Sequence, residues 1–246
     1  MDSHGERGSG RRRIEAVLFD KDGTLFDFHT TWLPILEEAA LMAARGEAAL
    51  VPRLMAAGGY DPLTRRIASG SVIAAGDTKD LAESWMLHLR EWRVDDLVLE
   101  LDAMFTLKGP LSAAPVTELV PLFETLRARG LRLGIATNDT VAGAFATIGR
   151  FGLAEHLEFH CGYDSGYGSK PAPGMVHAFC EAVGVSPGSV AVVGDNLHDL
   201  DMGRAAGAGL LVGVLTGTSA RDDLAPHADA VLDSIADLPA LLDAFR

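Results

Sequence analysis

Two cysteines, Cys161 and Cys180, are all that 246 residues contain. That is too few for a disulfide framework, and neither sits in a CxxC or Cys/His spacing that would hold zinc. A reducing, cytoplasmic setting is the expectation. Basic residues are also scarce: Lys+Arg 21 against Asp+Glu 34 leaves a net charge of −13, whose field repels polyanions and argues against nucleic acid or an anionic membrane as partner. A small anionic ligand stays open, because exposed charges are screened beyond roughly 8 Å at physiological salt. No apolar run approaches the ~20 residues of a membrane span. The stretch after Arg11, Arg12 and Arg13 continues as a short strand pattern, without a signal-peptide core. With only 11 prolines and 48% hydrophobic residues, disordered and fibrous classes are excluded and a sizeable core is expected. Residues 1–13, with Gly5, Gly8 and Gly10 among polar neighbours, read as a disordered leader.

What is present is an alternation of elements. Ile14–Phe19 is a short apolar run that stops at Asp20-Lys21-Asp22-Gly23-Thr24, the pattern of a buried strand entering a polar loop. From about Phe28 to Phe105 apolar residues recur at helical intervals with few strand signals, broken near Gly58-Gly59 and Gly70–Gly76. After Gly109-Pro110 and Pro115 the pattern becomes helix Val116–Arg129, strand Leu131–Ala136, helix Val141–Phe151 and strand Leu157–Cys161. Helix Gly174–Val183, strand Val190–Val193, helix Leu200–Ala206, strand Gly209–Val214 and a terminal helix near Leu238–Phe245 follow. Strands alternating with helices predict an α/β fold with a parallel sheet covered on both faces. In such sheets the chemistry gathers at the carboxyl ends of the strands. Asp20, Thr137 and Asp195 each follow a predicted strand, and Lys170 follows one after a glycine-rich loop.

Asp20 and Asp22 are two residues apart, so in extended chain their carboxylates share a face and Lys21 points to the other. Paired carboxylates resist simultaneous ionisation, which suits a nucleophile beside a general acid/base. The plainer reading is a turn at Asp22-Gly23. Asp195 and Asp199 add two acids after the apolar run Val190–Val193. Four gathered carboxylates need a cation, and hard oxygen donors favour Mg²⁺; the plainer reading is a helix cap. Thr137 and Asn138 precede a helix, where a hydroxyl, an amide and free N–H groups would face an anion such as phosphate. Lys170, braced by Pro171 and Pro173, presents a cation from a stiff loop. His29, His88, His156, His160, His177, His198 and His227 show no ligand spacing and are read as structural. Trp32, Trp85 and Trp92 are read as core rather than recognition surface.

The ordered set Asp20-Lys21-Asp22-Gly23-Thr24, Thr137-Asn138, Lys170-Pro171 and Gly194-Asp195 with Asp199 resembles the four motifs of the haloacid dehalogenase superfamily, and the likeness spans nearly all of the chain after the leader. The resemblance implies a Rossmann-like three-layer core over 14–26 and 109–246, with an inserted α-helical cap over 27–108. It implies that Asp20 attacks phosphorus to form an aspartyl-phosphate, that Asp22 serves as acid and then base, and that Thr137 and Lys170 bind the phosphoryl group. Asp195 would ligate Mg²⁺ together with Asp20 and the Asp22 carbonyl, with Asp199 supporting the metal site. An acid at Asp22 favours phosphatases over dehalogenases, and the cap resembles those of phosphoglycolate phosphatases and β-phosphoglucomutase. The expectation is therefore a Mg²⁺-dependent phosphatase acting on a small phosphorylated metabolite. A phosphomutase of the β-phosphoglucomutase type and a non-catalytic binding protein are the alternatives. Arg65, Arg66, Ser71 and Lys79 are the candidate leaving-group contacts within the cap. Two residues depart from the family pattern: Lys21, where an apolar residue is common, and Gly174, where an acid is frequent.

Overall fold

A computed structural model describes residues 13–245; apart from Arg13, the expected leader lies outside them. Six strands form one sheet: β1 (Ala16–Phe19), β4 (Arg132–Ala136), β5 (Phe159–Cys161), β6 (Val190–Gly194), β7 (Leu210–Val214) and β8 (Ala230–Leu232), in the order β5-β4-β1-β6-β7-β8. Every pairing is parallel. The sequence of β1 explains its central place. Successive side chains point to opposite faces of a sheet, so Val17 and Phe19 enter one apolar cluster while Ala16 and Leu18 enter the other. The first cluster also holds residues of α6 (Leu119–Ala128) and α11 (Leu238–Leu242), and the second holds residues of α8 (Gly174–Val183) and α9 (Leu197–Ala206). These layers give the three-layer α/β architecture that the alternation predicts.

Between β1 and β4 the chain builds α1 (Phe28–Ala43), α2 (Val51–Gly58), α3 (Val72–Ala75), α4 (Thr78–Met86) and α5 (Val94–Ser112). They enclose a third apolar cluster whose buried members all fall between Phe28 and Phe105. Asp27 starts α1 by accepting the Thr30 N–H at 2.8 Å, satisfying one orphan donor of the first turn. A two-residue hairpin, β2 (Tyr60–Asp61) with β3 (Arg66–Ile67), interrupts the helices; it is too short to leave an alternating pattern in the sequence. Gly109 and Pro110 lie inside α5 and do not end it: the Ala113 N–H bonds the Gly109 carbonyl and the helix runs on to Ser112. The remaining helices are α7 (Val141–Arg150) after β4 and α10 (Arg221–Leu224) after β7. Two boundaries shift by three residues: α6 starts at Leu119 and α9 at Leu197, the latter because Asn196 and Asp199 form a capping box. β8 carries only three residues at the sheet edge and escapes the period-two reading.

Candidate active site

Four loops at the carboxyl edge of the sheet meet. Asp20 leaves β1 with its N–H still bonded to the Val193 carbonyl at 2.8 Å, which pins it beside β6. Thr137 leaves β4, Asp195 leaves β6, and Lys170 arrives from the loop after β5. All four are buried, as is Asp199 in the first turn of α9. The Lys170 Nζ donates to Asp20 Oδ1 at 2.5 Å and to Asp199 Oδ1 at 2.6 Å. Burial pulls the Lys170 ammonium pKa down, but the Asp199 and Asp20 carboxylates outweigh it, and it stands above its ordinary value.

The carboxylates of Asp20, Asp195 and Asp199 have oxygens within 4.8 Å of one another. Burial raises the Asp20 pKa, the Asp199 and Asp22 charges add to this, and Lys170 opposes it. Burial likewise raises Asp195 well above the carboxylate range, with Asp20 and Asp199 adding to the effect. Three carboxylates face the single Lys170 cation, a deficit of positive charge that shows in the raised Asp20 and Asp195 pKa values. An all-oxygen donor set with that deficit fits a hard divalent cation such as Mg²⁺. Glycines make the space: a Cβ on Gly217 would lie 1.8 Å from Asp195 Oδ2, and one on Gly23, at φ +88°, would lie 2.5 Å from Asp195 Oδ1. The Thr218 N–H holds Asp195 Oδ2 at 2.9 Å.

These residues form the floor of a cavity of about 100 Å³, several times the ~10–15 Å³ that accommodates one water. Its far wall comes from the helical segment and includes Phe28, Trp32, Val72, Ile73 and Phe105. Trp32 thus serves the core and the cavity together, whereas Trp85 is wholly interior. His198, read from sequence as structural, also lines the cavity, and its Nδ1 lies 3.0 Å from the Ala75 carbonyl. A carbonyl only accepts, so Nδ1 carries the proton. None of Arg65, Arg66, Ser71 and Lys79 reaches the cavity lining: both arginines are exposed, as is Lys79, which faces Glu83 at 3.8 Å.

Three local expectations need correction. The first is Lys21, expected to point away from the site. Beyond Phe19 the chain is no longer extended: the Leu25 and Phe26 N–H groups both bond the Lys21 carbonyl, and Gly23 N–H bonds the Phe26 carbonyl. This tight loop breaks the alternation, so Lys21 is buried with Nζ 2.6 Å from Asp22 Oδ2 and 3.0 Å from Asp139 Oδ2. The second is the α7 N-terminus, expected to offer free N–H groups to an anion. Thr140 caps it by accepting from Gly143, and Asp164 accepts from Val141, so those donors are taken. Thr137 Oγ1 accepts the Asp139 N–H at 3.1 Å, leaving its own proton to donate. The third is Asn138, whose side chain is already engaged: Nδ2 donates to the Ala75 carbonyl at 2.9 Å and Oδ1 accepts the Lys170 N–H at 3.0 Å. Gly174 has a simpler explanation, since any side chain there would meet the Tyr167 carbonyl at 2.0 Å. Neither cysteine competes as a nucleophile: burial raises Cys161 to about 12 and raises Cys180 too.

A profile of haloacid dehalogenase-like hydrolases matches residues 14–207, well over half of the chain. The chain belongs to the haloacid dehalogenase-like hydrolase family. Among its relatives is an N-acetylmuramic acid 6-phosphate phosphatase of Pseudomonas aeruginosa, 28% identical over 235 residues and covering 95% of this chain and 96% of that protein. A phosphoglycolate phosphatase of Rhodospirillum rubrum is 31% identical over 208 residues, covering 80% and 78%. The same fold is seen in CbbY from Rhodobacter sphaeroides, solved in complex with phosphate: TM-score 0.67, 21% identity, 94% of this chain and 99% of that one. In this haloacid dehalogenase-like hydrolase the matched region takes in every motif loop that meets at the sheet edge, from Asp20 to Asp199.

Proposed function

We propose that this hydrolase is a Mg²⁺-dependent phosphatase that splits a small phosphomonoester of the phosphoglycolate or sugar-phosphate kind through an aspartyl-phosphate on Asp20. The observation that carries this reading is the convergence of Asp20, Asp195 and Asp199 on one point with Lys170 bridging two of them. A buried site with an excess of carboxylate, one cation and one free hydroxyl proton at Thr137 is suited to a divalent ion and a phosphoryl group together. The phosphatase names of the two relatives point the same way.

Asp20 is the nucleophile in this reading. Its Oδ1 is held by Lys170, which orients the carboxylate and leaves Oδ2 to attack phosphorus. A new O–P bond forms as the ester O–P bond breaks, and Asp22 gives its proton to the departing oxygen. Asp22 then takes a proton from water as that water attacks phosphorus, releasing phosphate and restoring Asp20. Lys170 and the Thr137 hydroxyl bear on the phosphoryl oxygens, where negative charge accumulates. Asn138 contributes by holding Lys170 in place. Asp20, Asp195, Asp199 and the Asp22 backbone carbonyl are the groups that would hold Mg²⁺, which supplies charge neutralisation when bound. The helical segment over 27–108 acts as the cap, its wall shutting water away from the leaving group.

The test is phosphate release from a panel of phosphoglycolate, sugar phosphates and p-nitrophenyl phosphate, with Mg²⁺ and with chelator. Release that needs Mg²⁺ and vanishes in Asp20→Asn is the expected result. No release from any substrate, or equal release by Asp20→Asn, would overturn the reading.

A further inference from the structure

Lys21 is a charged residue, yet it is among the largest fully buried side chains of the protein. Burying an ammonium costs several kcal/mol unless it is paired. Here it is paired twice, with Asp22 Oδ2 at 2.6 Å and Asp139 Oδ2 at 3.0 Å, and its Nζ stands 5.4 Å from the centre of the Trp32 ring. Asp139 is itself fixed. Its Oδ1 accepts the Thr140 N–H at 2.7 Å, and its carboxylate rests against Gly143, where a Cβ would intrude to 2.8 Å. Asp22 lines the cavity and Asp139 does too. Among the described residues no other side chain holds the Asp22 carboxylate.

We infer that Lys21, anchored by Asp139, is a positioning residue: it clamps one oxygen of Asp22 so that the other faces the leaving-group oxygen. This inference rests on the phosphatase reading and adds to it a relay from the loop after β4 to the acid after β1. The loop containing Asp22 has no strand partner beyond an isolated bridge to Phe26, so its side chain would otherwise sample several rotamers. Fixing one carboxylate oxygen removes that freedom before the substrate arrives, which is the advantage of a preorganised acid.

The experiment compares kcat/KM on two substrates, an alkyl phosphate, whose departing oxygen needs a proton, and p-nitrophenyl phosphate, whose departing oxygen does not. This ratio reports the first phosphoryl transfer alone, and a misaimed acid harms only the alkyl ester. Lys21→Met by itself strands two buried carboxylates and can fail to fold, so the decisive variant is Lys21→Met with Asp139→Asn, in which a charge of each sign leaves together. Thermal unfolding confirms that it is folded. The expected result is a fall in alkyl phosphate kcat/KM at least 10-fold greater than the fall on p-nitrophenyl phosphate, part of the ~10²–10⁴ that a general acid supplies. Asp139→Asn alone, which keeps the Lys21–Asp22 pair, gives a smaller loss with the same selectivity. A folded double variant with an unchanged substrate ratio makes Lys21 a packing residue only and overturns the inference, leaving the phosphatase reading intact. If the wild-type protein with Mg²⁺ turns over neither substrate, the phosphatase reading fails and the inference with it.

Discussion

Lys170 and Lys21 are the two buried lysines around which the candidate site is built, and each faces two carboxylates. An uncompensated buried charge is expensive, and removing one member of such a group costs about 3–5 kcal/mol. Lys170→Met is therefore expected to lower stability by roughly 3 kcal/mol in chelator. With Mg²⁺ present the loss should shrink, because the ion takes over the neutralisation of Asp20 and Asp199. Urea unfolding with and without Mg²⁺ measures both, and an equal loss in the two conditions would contradict a shared metal site. At this scale the sequence was legible for residue types and silent on partners. Asp20, Thr137, Lys170, Asp195 and Asp199 do meet. The Asn138 side chain instead spans Ala75 and Lys170, and Lys21 turns inward because the loop after Phe19 is not extended.

At the level of elements, short loops leaving parallel strands bring distant motifs together, and their glycines leave room for the acids. Gly217, in the loop after β7, leaves the space filled by Asp195. Gly217→Ala would push that carboxylate aside by a fraction of an ångström or more. Since a 1 Å displacement at a site can cost ~10²-fold, turnover is expected to fall on that order while circular dichroism keeps its native shape. Contacts to the helical segment form a second set: Asn138 and His198 converge on the Ala75 carbonyl, and Ser169 donates to Asp77 Oδ2 at 2.7 Å. His198→Ala removes one of these ties. It should raise KM more than it lowers kcat, because closure over the substrate weakens while the groups at phosphorus stay in place; a kcat effect alone would argue otherwise. The helical periodicity from Phe28 to Phe105 made the segment's character plain. Its hairpin and the identity of its cavity wall left no such trace, because a two-residue strand is below any period and a wall is assembled from four separate helices.

For the whole molecule, the net charge of −13 hides a concentrated deficit at one sheet edge. The pKa values of Asp20 and Asp195 lie above the usual carboxylate value in the folded protein. The folded state thus holds protons that the unfolded state has released, and without metal their contribution to stability is lost as pH rises above about 4. Mg²⁺ held by these carboxylates, as the proposed function requires, would bind their deprotonated forms and reverse that trend. The Tm increment from Mg²⁺ should therefore be larger at pH 8 than at pH 5. At a hundredfold excess over Kd the stabilisation is about 2.7 kcal/mol, or roughly 5–10 °C for a domain of this size. Increments of equal size at the two pH values would speak against the carboxylates as ligands. Among the described residues no helix is long and apolar enough to cross a membrane.

Amino-acid order alone determined the parallel sheet, the helical insertion and the polar residues at strand ends, because each follows from local periodicity and from the short reach of connections between neighbouring elements. Tertiary structure alone decided which oxygen each cation touches, how Asp139 reaches Lys21 from another loop, and which apolar side chains close the cavity. Those depend on how separate loops and helices meet in space, in pairs such as Asp20 with Lys170 and Lys21 with Asp139 that lie more than a hundred positions apart, and no spacing along the chain encodes them.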